Sequence, residues 1–144
     1  MNKEISVVVP VYMEEASIRP FLDRLEPVLE NIDGKSYEII FVLDPGADET
    51  EKIILEEINR NPNIRMIVMS RKFGQPAATM AGIGACCGRT CVLIDVDLQD
   101  PPELINDMYG KLNQGYEAVY ATRRTRKGEA GIKKAISSIG YKVI

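Results

Sequence analysis

Residues 92–103 read Val-Leu-Ile-Asp-Val-Asp-Leu-Gln-Asp-Pro-Pro-Glu, an apolar run that ends in alternating acids. Side chains two residues apart on an extended segment point to the same side, about 6–7 Å apart along the strand. One bend after the strand would let Asp95 and Asp97 serve one cation, and Gln99 adds an amide oxygen on that side. Mg²⁺ and Mn²⁺ favour such ligands, often together with substrate phosphates. The alternative, that these acids only cap the next helix, explains Asp100 but not the alternating pair.

Short β-rich runs alternate with amphipathic stretches along the chain. Four of the runs are almost continuously apolar, as in strands of a sheet that is covered on both faces. Alternation with short links predicts an α/β fold with a mostly parallel sheet, helices on both faces and right-handed crossovers. The predicted strands are residues 5–9, 37–43, 64–69, 91–94 and 118–121, and the predicted helices are residues 18–32, 50–59, 76–87 and 104–112.

The last segment has a helical period. Ile132, Ile136, Ile139 and Val143 recur at steps of four, three and four, so we expect a helix that is unfinished where the sequence stops. A chain of 144 residues is also large enough for one domain with its own core. The expectation is a single domain, residues 1–144, that is truncated on its C-terminal side.

The composition excludes several classes of function. The chain has no histidine, so Ser-His triads and the commonest metal ligand are absent, and any chemistry must use carboxylates, phosphates and a hard metal. The three cysteines are an odd number, which argues against a disulfide framework and favours small buried residues in a reducing compartment. No Walker-type loop or G-x-G-x-x-G occurs, which argues against P-loop enzymes and dinucleotide dehydrogenases.

Targeting signals are also missing from the sequence. No apolar run approaches the roughly 20 residues of a membrane span, and no signal peptide precedes the first predicted strand. We therefore expect the chain to be cytosolic or to face the cytosol.

Polar loops follow the predicted strands. In parallel sheets ligands bind beyond the carboxyl ends of the strands, which places residues 10–15, 44–48, 70–75 and 95–100 on one rim.

Several side chains on this rim suit a nucleotide. Tyr12 offers a ring for stacking on a base, whereas the acids that follow it could be an ordinary helix start. Asp44 could accept hydrogen bonds from a base or ribose, while Asp48 and Thr50 are interpreted as turn and cap residues. Arg71, with the lysine after it, brings positive charge to a helix N-terminus, a geometry suited to anions.

Charge is unevenly spread. Between Arg123 and Lys134 the local charge is +5, against −8 in the rest of the chain. Such a cluster suggests an anionic partner at one edge, and the alternative is a solvated tail.

Five motifs in order resemble the family 2 glycosyltransferases, which are inverting enzymes with the Rossmann-like GT-A fold. The resemblance covers residues 7–15, 37–50, 70–84, 92–105 and 115–129. Within it, Ser-Arg-x-Phe-Gly-Gln from residue 70 and Ile-Asp-x-Asp-Leu-Gln-Asp-Pro-Pro-Glu from residue 94 are typical of the branch that contains dolichol-phosphate and polyprenyl-phosphate sugar transferases.

The resemblance implies roles for particular residues. The first loop lines the nucleotide pocket, Asp44 holds the base, and an Asp-x-Asp pair grips the donor diphosphate through Mg²⁺ or Mn²⁺. With the arginines added, the donor-binding residues are Pro10, Tyr12, Glu14, Asp44, Arg71, Asp95 and Arg123, and the metal ligands are Asp95, Asp97 and Gln99.

The implied reaction moves a hexose from a UDP- or GDP-sugar to a polyprenyl phosphate, undecaprenyl or dolichyl, on the cytoplasmic side of a membrane. The basic residues from Arg123 to Lys134 would face the lipid phosphate and an anionic membrane surface, and nucleic acid is not an expected partner. The acceptor-side acid and the membrane segments are expected after residue 144. Alternatives are a binding or membrane-docking module without activity, a transferase with a saccharide hydroxyl acceptor, and a nucleotidyltransferase, whose Gly-rich N-terminal loop is missing.

Three positions depart from the family pattern. Met13 replaces the usual Asn, and Leu-Asp-Pro-Gly at residues 43–46 replaces Asp-Asp-Gly-Ser, which leaves the nucleotide open. Arg89 stands where an acid usually follows the helix-ending glycine, and no chemistry is assigned to it.

Overall fold

The computed structural model describes residues 3–32, 36–122 and 138–141, the last of these as backbone only. Two compact units are present, Met1–Pro102 and Glu103–Ile144. The expectation of a single domain stays a prediction. The first unit contains β1 (Lys3–Val11), α1 (Ile18–Glu30), β2 (Tyr37–Leu43), α2 (Thr50–Arg60), β3 (Ile64–Val68), α3 (Gln75–Gly84) and β4 (Gly88–Leu93). The second contains α4 (Leu104–Leu112), β5 (Ala118–Ala121) and β6 (Ser138–Tyr141).

The first unit is built on a four-stranded parallel sheet in the order β3-β2-β1-β4. All seven residues of β2 are buried, as its continuous apolar run predicts. The α/β fold with a mostly parallel sheet is therefore confirmed.

The predicted bounds of β1, residues 5–9, are too short, and Pro10 lies within the strand instead of ending it. Pro10 pairs in register with Val42, and β1 continues to Val11. The last β4 partner of β1 is Leu93, opposite Val8. The carbonyl of Val8 faces β4, where it accepts a hydrogen bond from Ile94. Pro10, two residues further on, faces the same side beyond the end of β4, so its missing N–H breaks no ladder bond.

The two faces of the sheet carry different helices. On one face Phe41 of β2 meets Phe21 of α1 edge to face, with ring centroids 6.4 Å apart. The other face contributes Val8, Ile40 and Val42, which cluster with Ala78 of α3. Alternation along β2 produces this division, because successive side chains point to opposite faces.

Helix α3 lies unusually close to the sheet at Gly82. A Cβ at this position would lie 2.3 Å from Cγ1 of Val8 and 3.0 Å from Cγ2 of Val42. Only glycine therefore allows this approach. The same helix begins at Gln75, beside the ends of β1 and β4.

The second unit corrects two predictions. β5 has its predicted bounds, but it pairs antiparallel with β6 in a two-stranded sheet instead of extending the parallel one. The helix expected over residues 132–143 is wrong at Ser138–Tyr141, which form β6. Gly140 disfavours helix, whereas Ile139 and Tyr141 favour strand, and pairing with β5 decides between them. Arg123, the basic cluster that it begins and the rest of that helix lie outside the described residues. In the part of the chain that the structure describes, no helix has the length and apolarity needed to cross a membrane.

Candidate functional site

A cleft of about 320 Å³ opens at the carboxyl ends of β1, β2 and β4, beside the first turn of α3. This is the rim on which a parallel sheet is expected to bind ligands. Six of the residues predicted for the site line it: Pro10, Tyr12, Glu14, Asp44, Asp95 and Asp97. The fold thus brings together residues that lie up to 87 positions apart in the sequence.

Asp44 lies at the end of β2 and is only 3% exposed. Its two carboxylate oxygens accept hydrogen bonds from the backbone N–H groups of Phe73, at 3.1 Å, and Gly74, at 2.9 Å. Gly74 has a φ of 96°, a conformation that favours glycine. Asp44 therefore holds the loop that enters α3 as well as lining the cleft. Its predicted contact with a base stays a prediction.

The two cations of the loop after β3 differ in position. Lys72 lines the cleft, with its Nζ 3.8 Å from the centroid of the Tyr12 ring. Arg71 instead stacks on Phe73, with the guanidinium carbon 4.2 Å from that ring's centroid, and it is not among the residues that line the cleft. The sequence placed both cations near the start of α3 but offered only Arg71 as donor-binding, and that role of Arg71 stays a prediction. No sequence signal separates the two, because the distinction depends on Tyr12, 60 residues away.

The loop after β1 is tied to the start of α2. The N–H of Glu14 donates to Oγ1 of Thr50 at 2.9 Å, and the N–H of Glu15 donates to Oδ2 of Asp48 at 3.3 Å. Asp48 also accepts from the N–H and Oγ1 of Thr50. Burial opposes its ionisation, but these hydrogen bonds prevail and lower the pKa of Asp48. Asp48 is thus a turn residue, as predicted. The interpretation of Thr50 as a cap is wrong, since Thr50 is the first residue of α2 and Glu49 is its N-cap.

Two residues on this rim have a strained backbone. Met13, in the loop after β1, has a φ of 50°, and Leu98, in the loop after β4, has a φ of 61°. Residues other than Gly, Asn and Asp rarely adopt this left-handed conformation, and strain of this kind clusters at functional sites. Both loops therefore have backbone geometry typical of a binding site.

The acidic pair follows β4 after a short gap. Oδ1 of Asp95 accepts a hydrogen bond from Nε2 of Gln75 at 2.7 Å, which links β4 to the first residue of α3. Partial burial, and then the nearby carboxylates of Asp97 and Asp100, raise the pKa of Asp95 above its ordinary value. Both effects disfavour the ionised form of Asp95, burial more than the neighbouring negative charge.

Gln99 does not continue the alternation that predicted it. The strand ends at Leu93, and the left-handed Leu98 turns the chain. Gln99 is exposed, and its backbone N–H donates to Oδ1 of Asp97 at 3.1 Å, so it supports the acidic pair through the main chain. Metal ligation by its side chain stays a prediction.

The donor set of the cleft fits a hard divalent cation. Asp95 and Asp97 both line it and supply carboxylate oxygens, and their mutual repulsion is what such a cation would relieve. In residues 3–32 and 36–122 no group of three or more acidic or thiol residues is placed to enclose a metal. A ligand phosphate would have to complete the coordination, which is the usual arrangement for Mg²⁺.

The cysteines are less buried than predicted. Cys86 is half-buried, whereas Cys87 and Cys91 are exposed, and all three are free thiols. Cys91 is exposed because it lies on β4, which is an edge of the four-stranded sheet. Arg89, to which no chemistry was assigned, forms a loose ion pair with Glu4 at 3.8 Å.

The structure thus combines a parallel α/β sheet with an acidic cleft at the carboxyl ends of its strands. The family described as Glycosyl transferase family 2 matches residues 6–142, and the chain belongs to that family.

One curated relative is similar over the whole chain. It is named "Uncharacterized glycosyltransferase sll0501", from Synechocystis sp., and it is 42% identical over 144 residues. The match covers 100% of this chain and 45% of that protein. The chain thus spans less than half the length of this relative.

Solved structures show the same fold. The mannosyltransferase PcManGT from Pyrobaculum calidifontis, in complex with GDP-Man and Mn²⁺, superposes with a TM-score of 0.72 at 17% identity, over 87% of this chain and 36% of that one. Glucosyl-3-phosphoglycerate synthase from Mycobacterium tuberculosis, in complex with UDP, has a TM-score of 0.67 at 25% identity, over 86% and 46%. These likenesses support a GT-A fold for the chain.

Proposed function

We propose that this chain forms the donor-binding part of a glycosyltransferase that moves a hexose from a UDP- or GDP-sugar to a polyprenyl phosphate, with inversion and with the help of Mg²⁺ or Mn²⁺. The observation that carries the proposal is the cleft itself. An aromatic ring, a lysine and two carboxylates converge there, and these are the groups that a base, a diphosphate and a metal require.

Different cleft residues would contact the base and the diphosphate of the donor. Tyr12 offers a ring face to the base, and Lys72, now held over that ring, is positioned to reach a phosphate. Asp95 and Asp97 would hold the divalent cation on the diphosphate. The neighbours support this choice of ligand, since PcManGT is described with GDP-Man and Mn²⁺ and the mycobacterial synthase with UDP.

The chemistry needs a stabilised leaving group. A divalent cation, when bound, would neutralise charge on the departing nucleoside diphosphate as a Lewis acid. Asp95 and Asp97 would position the cation against the diphosphate, and the hydrogen bond from Gln75 orients the carboxylate of Asp95. A phosphate acceptor is already ionised at neutral pH, so it needs less help from a general base than a sugar hydroxyl does.

Calorimetry with the purified protein tests donor binding. UDP-glucose, UDP-GlcNAc and GDP-mannose are titrated with and without Mn²⁺, and we expect one of them to bind only with the metal. The acceptor is tested with the natural full-length protein. Sugar transfer to undecaprenyl or dolichyl phosphate is measured and compared with transfer to a saccharide. Metal-dependent binding without any transfer would support a binding module instead of an enzyme.

The basic residues from Arg123 to Lys134 are proposed to meet an anionic membrane surface. Their +5 charge supports the proposal, since each near-surface cation contributes on the order of 1 kcal/mol. Co-sedimentation with anionic vesicles at low salt is expected, and binding should fade as salt rises. If the protein bound neutral vesicles as well as anionic ones, the basic cluster would be a solvated surface and not a membrane contact.

A further inference from the structure

A thiol pair lies outside the donor cleft, where α3 gives way to β4. The Sγ atoms of Cys86 and Cys91 are 3.3 Å apart, in hydrogen-bonding contact. Cys86 follows α3 and packs against the buried cluster of that face, while Cys91 is exposed on β4. Cys86 is thus held by the core, while Cys91 belongs to an exposed position of the edge strand.

The connection between the two elements is fixed on both sides of Cys86. The carbonyl of Ala85 accepts a hydrogen bond from Nη2 of Arg65 at 2.7 Å, and the N–H of Cys87 donates to Oε1 of Glu38, also at 2.7 Å. The next N–H, of Gly88, donates to Oγ of Ser6 at 2.8 Å. These bonds place Cys86 beside Cys91 before any reaction occurs.

Glycine at position 88 tightens the same connection. A Cβ there would lie 2.6 Å from the backbone nitrogen of Ser6, so the chain runs directly against β1. A disulfide needs an S–S distance of about 2.03–2.05 Å, roughly 1.3 Å shorter than the present contact. Rotation of the two short side chains can supply this change while the anchored backbone stays in place.

From this geometry we propose that Cys86 and Cys91 are a site of reversible oxidation, which a small-molecule disulfide converts into an intramolecular disulfide between the α3–β4 connection and β4. Held groups react as if at very high local concentration, so closure between these two sulfurs is favoured over reaction with a second protein molecule.

The reaction proceeds by two thiol–disulfide exchanges. The thiolate of Cys86 attacks one sulfur of the small disulfide RS–SR, forms a mixed disulfide and releases RS⁻. Cys91 then loses its proton to solvent, and its sulfur attacks Sγ of Cys86 and expels the second RS⁻. Two protein thiols are oxidised by two electrons, and one RS–SR is reduced to two RSH.

The order of these steps follows from the surroundings of Cys91. Burial of its sulfur, then the neighbouring Cys86 and the carboxylate of Glu38, raise the pKa of Cys91 to about 12. Since the thiolate is the attacking form, Cys91 is the poorer first nucleophile, and Cys86 begins the exchange.

Oxidised glutathione and peptide mapping test the proposal. Trypsin cleaves after Lys72, Arg89 and Lys111, which places Cys86 and Cys91 on different peptides, residues 73–89 and 90–111. We expect the treated wild-type protein to lose two hydrogens in mass, to retain no glutathione and to yield these peptides joined. Dithiothreitol should separate them again.

Cys87 supplies the matched control, because it sits on the same peptide as Cys86. Cys87→Ser should leave the linked peptides intact, whereas Cys86→Ser or Cys91→Ser should abolish them and leave at most a glutathione adduct. Linked peptides that survive in Cys86→Ser but vanish in Cys87→Ser would overturn the assignment. Separate glutathione adducts on Cys86 and Cys91 of the wild type, without a link, would overturn the site itself.

Discussion

Asp44 and Asp95 both follow strands of the parallel sheet and both line the same cleft, but their surroundings are opposite. Asp44 is 3% exposed, and two backbone N–H groups bind its carboxylate. Asp95 is half-buried, receives one side-chain amide and faces two further carboxylates. The first carboxylate is satisfied by the protein itself, whereas the second is surrounded by charge of its own sign.

This difference suggests two separate roles for carboxylates at one rim, loop stabilisation and cation binding. A carboxylate saturated by main-chain donors stabilises the loop that it holds, so its loss should affect folding. A carboxylate crowded by other acids gains little from the fold, and a cation would relieve it. Substitutions at the two positions should therefore differ in which property they change.

The largest loss of stability is expected from Asp44→Asn. The amide keeps one acceptor but places an NH₂ group against a backbone N–H, so a buried donor loses its partner. The free energy of unfolding should fall by about 2–3 kcal/mol in urea titrations. Asp23→Asn makes the same chemical change on the exposed side of α1 and should stay within about 0.5 kcal/mol of the wild type. Equal effects of the two would remove the distinction drawn for Asp44.

The largest effect on ligand binding is expected from Asp97→Asn. Metal-dependent nucleotide binding should weaken at least about 100-fold, since even the outer-shell partners of metal ligands are worth 10–100-fold. The urea midpoint should not move, because Asp97 is exposed. Asp95→Asn should act in the same direction but more mildly. Calorimetry with Mn²⁺ measures both, and an unchanged metal dependence in Asp97→Asn would show that the metal assignment is wrong.

Glu38, at the opposite end of β2, extends the comparison to a third carboxylate. Burial opposes its ionisation, but hydrogen bonds from Ser6, Cys87 and Arg65 outweigh this and lower the pKa of Glu38 below its ordinary value near 4.5. A lowered folded pKa stabilises the protein above about pH 4.5, and that stability is lost as the pH falls through the folded pKa.

The pH dependence of unfolding measures this contribution. At neutral pH, Glu38→Gln should cost about 1–2 kcal/mol, since Arg65 loses a charged partner. The gap between the two urea midpoints should then narrow as the pH drops from 6 towards 3. A constant gap over that range would mean that the ionisation of Glu38 does not contribute.

The smallest effect is expected from Lys72→Met. Loss of the cation over Tyr12 should lower the free energy of unfolding by about 0.5–1 kcal/mol. Nucleotide affinity should also fall, by roughly 3–10-fold, for the loss of one phosphate contact worth about 1 kcal/mol. Arg71→Met removes the equivalent stacking on Phe73 outside the cleft and should leave that affinity unchanged. The reverse ranking of the two variants would restore Arg71 as the donor-binding cation.

The parts of the fold that sequence predicts best are those decided by local pattern. β2 and β5 have their predicted bounds, because runs of apolar and β-branched residues bounded by turn residues leave little choice. α4 does too, from its three-and-four spacing. The helical period predicts the wrong structure at β6, because β6 contains only one residue of that pattern, Ile139, and pairs with β5, a partner that a local pattern does not reveal.

The site was predictable as a set of loops but not as a set of contacts. The rule for parallel sheets brought Tyr12, Asp44 and Asp95 to one rim. The partners of Asp44 come from a loop about 30 residues away, and the position of Lys72 in the cleft depends on a ring about 60 residues away. Contacts of this kind follow from tertiary packing, which leaves no periodic trace in the sequence.

Gly82 shows how far the constraint on this site reaches. The glycine does not line the cleft, yet it sets how closely α3 lies on β1, and α3 begins at the residue that holds Asp95. A methyl group at position 82 would clash with Val8 and push α3 away from the sheet. Because a helix moves as a rigid unit, Gln75 at the start of α3, seven residues away, would move as well. In a mutational scan scored on nucleotide binding, this buried position should therefore resemble a ligand contact. Variants selected for a new donor specificity should therefore retain glycine at position 82.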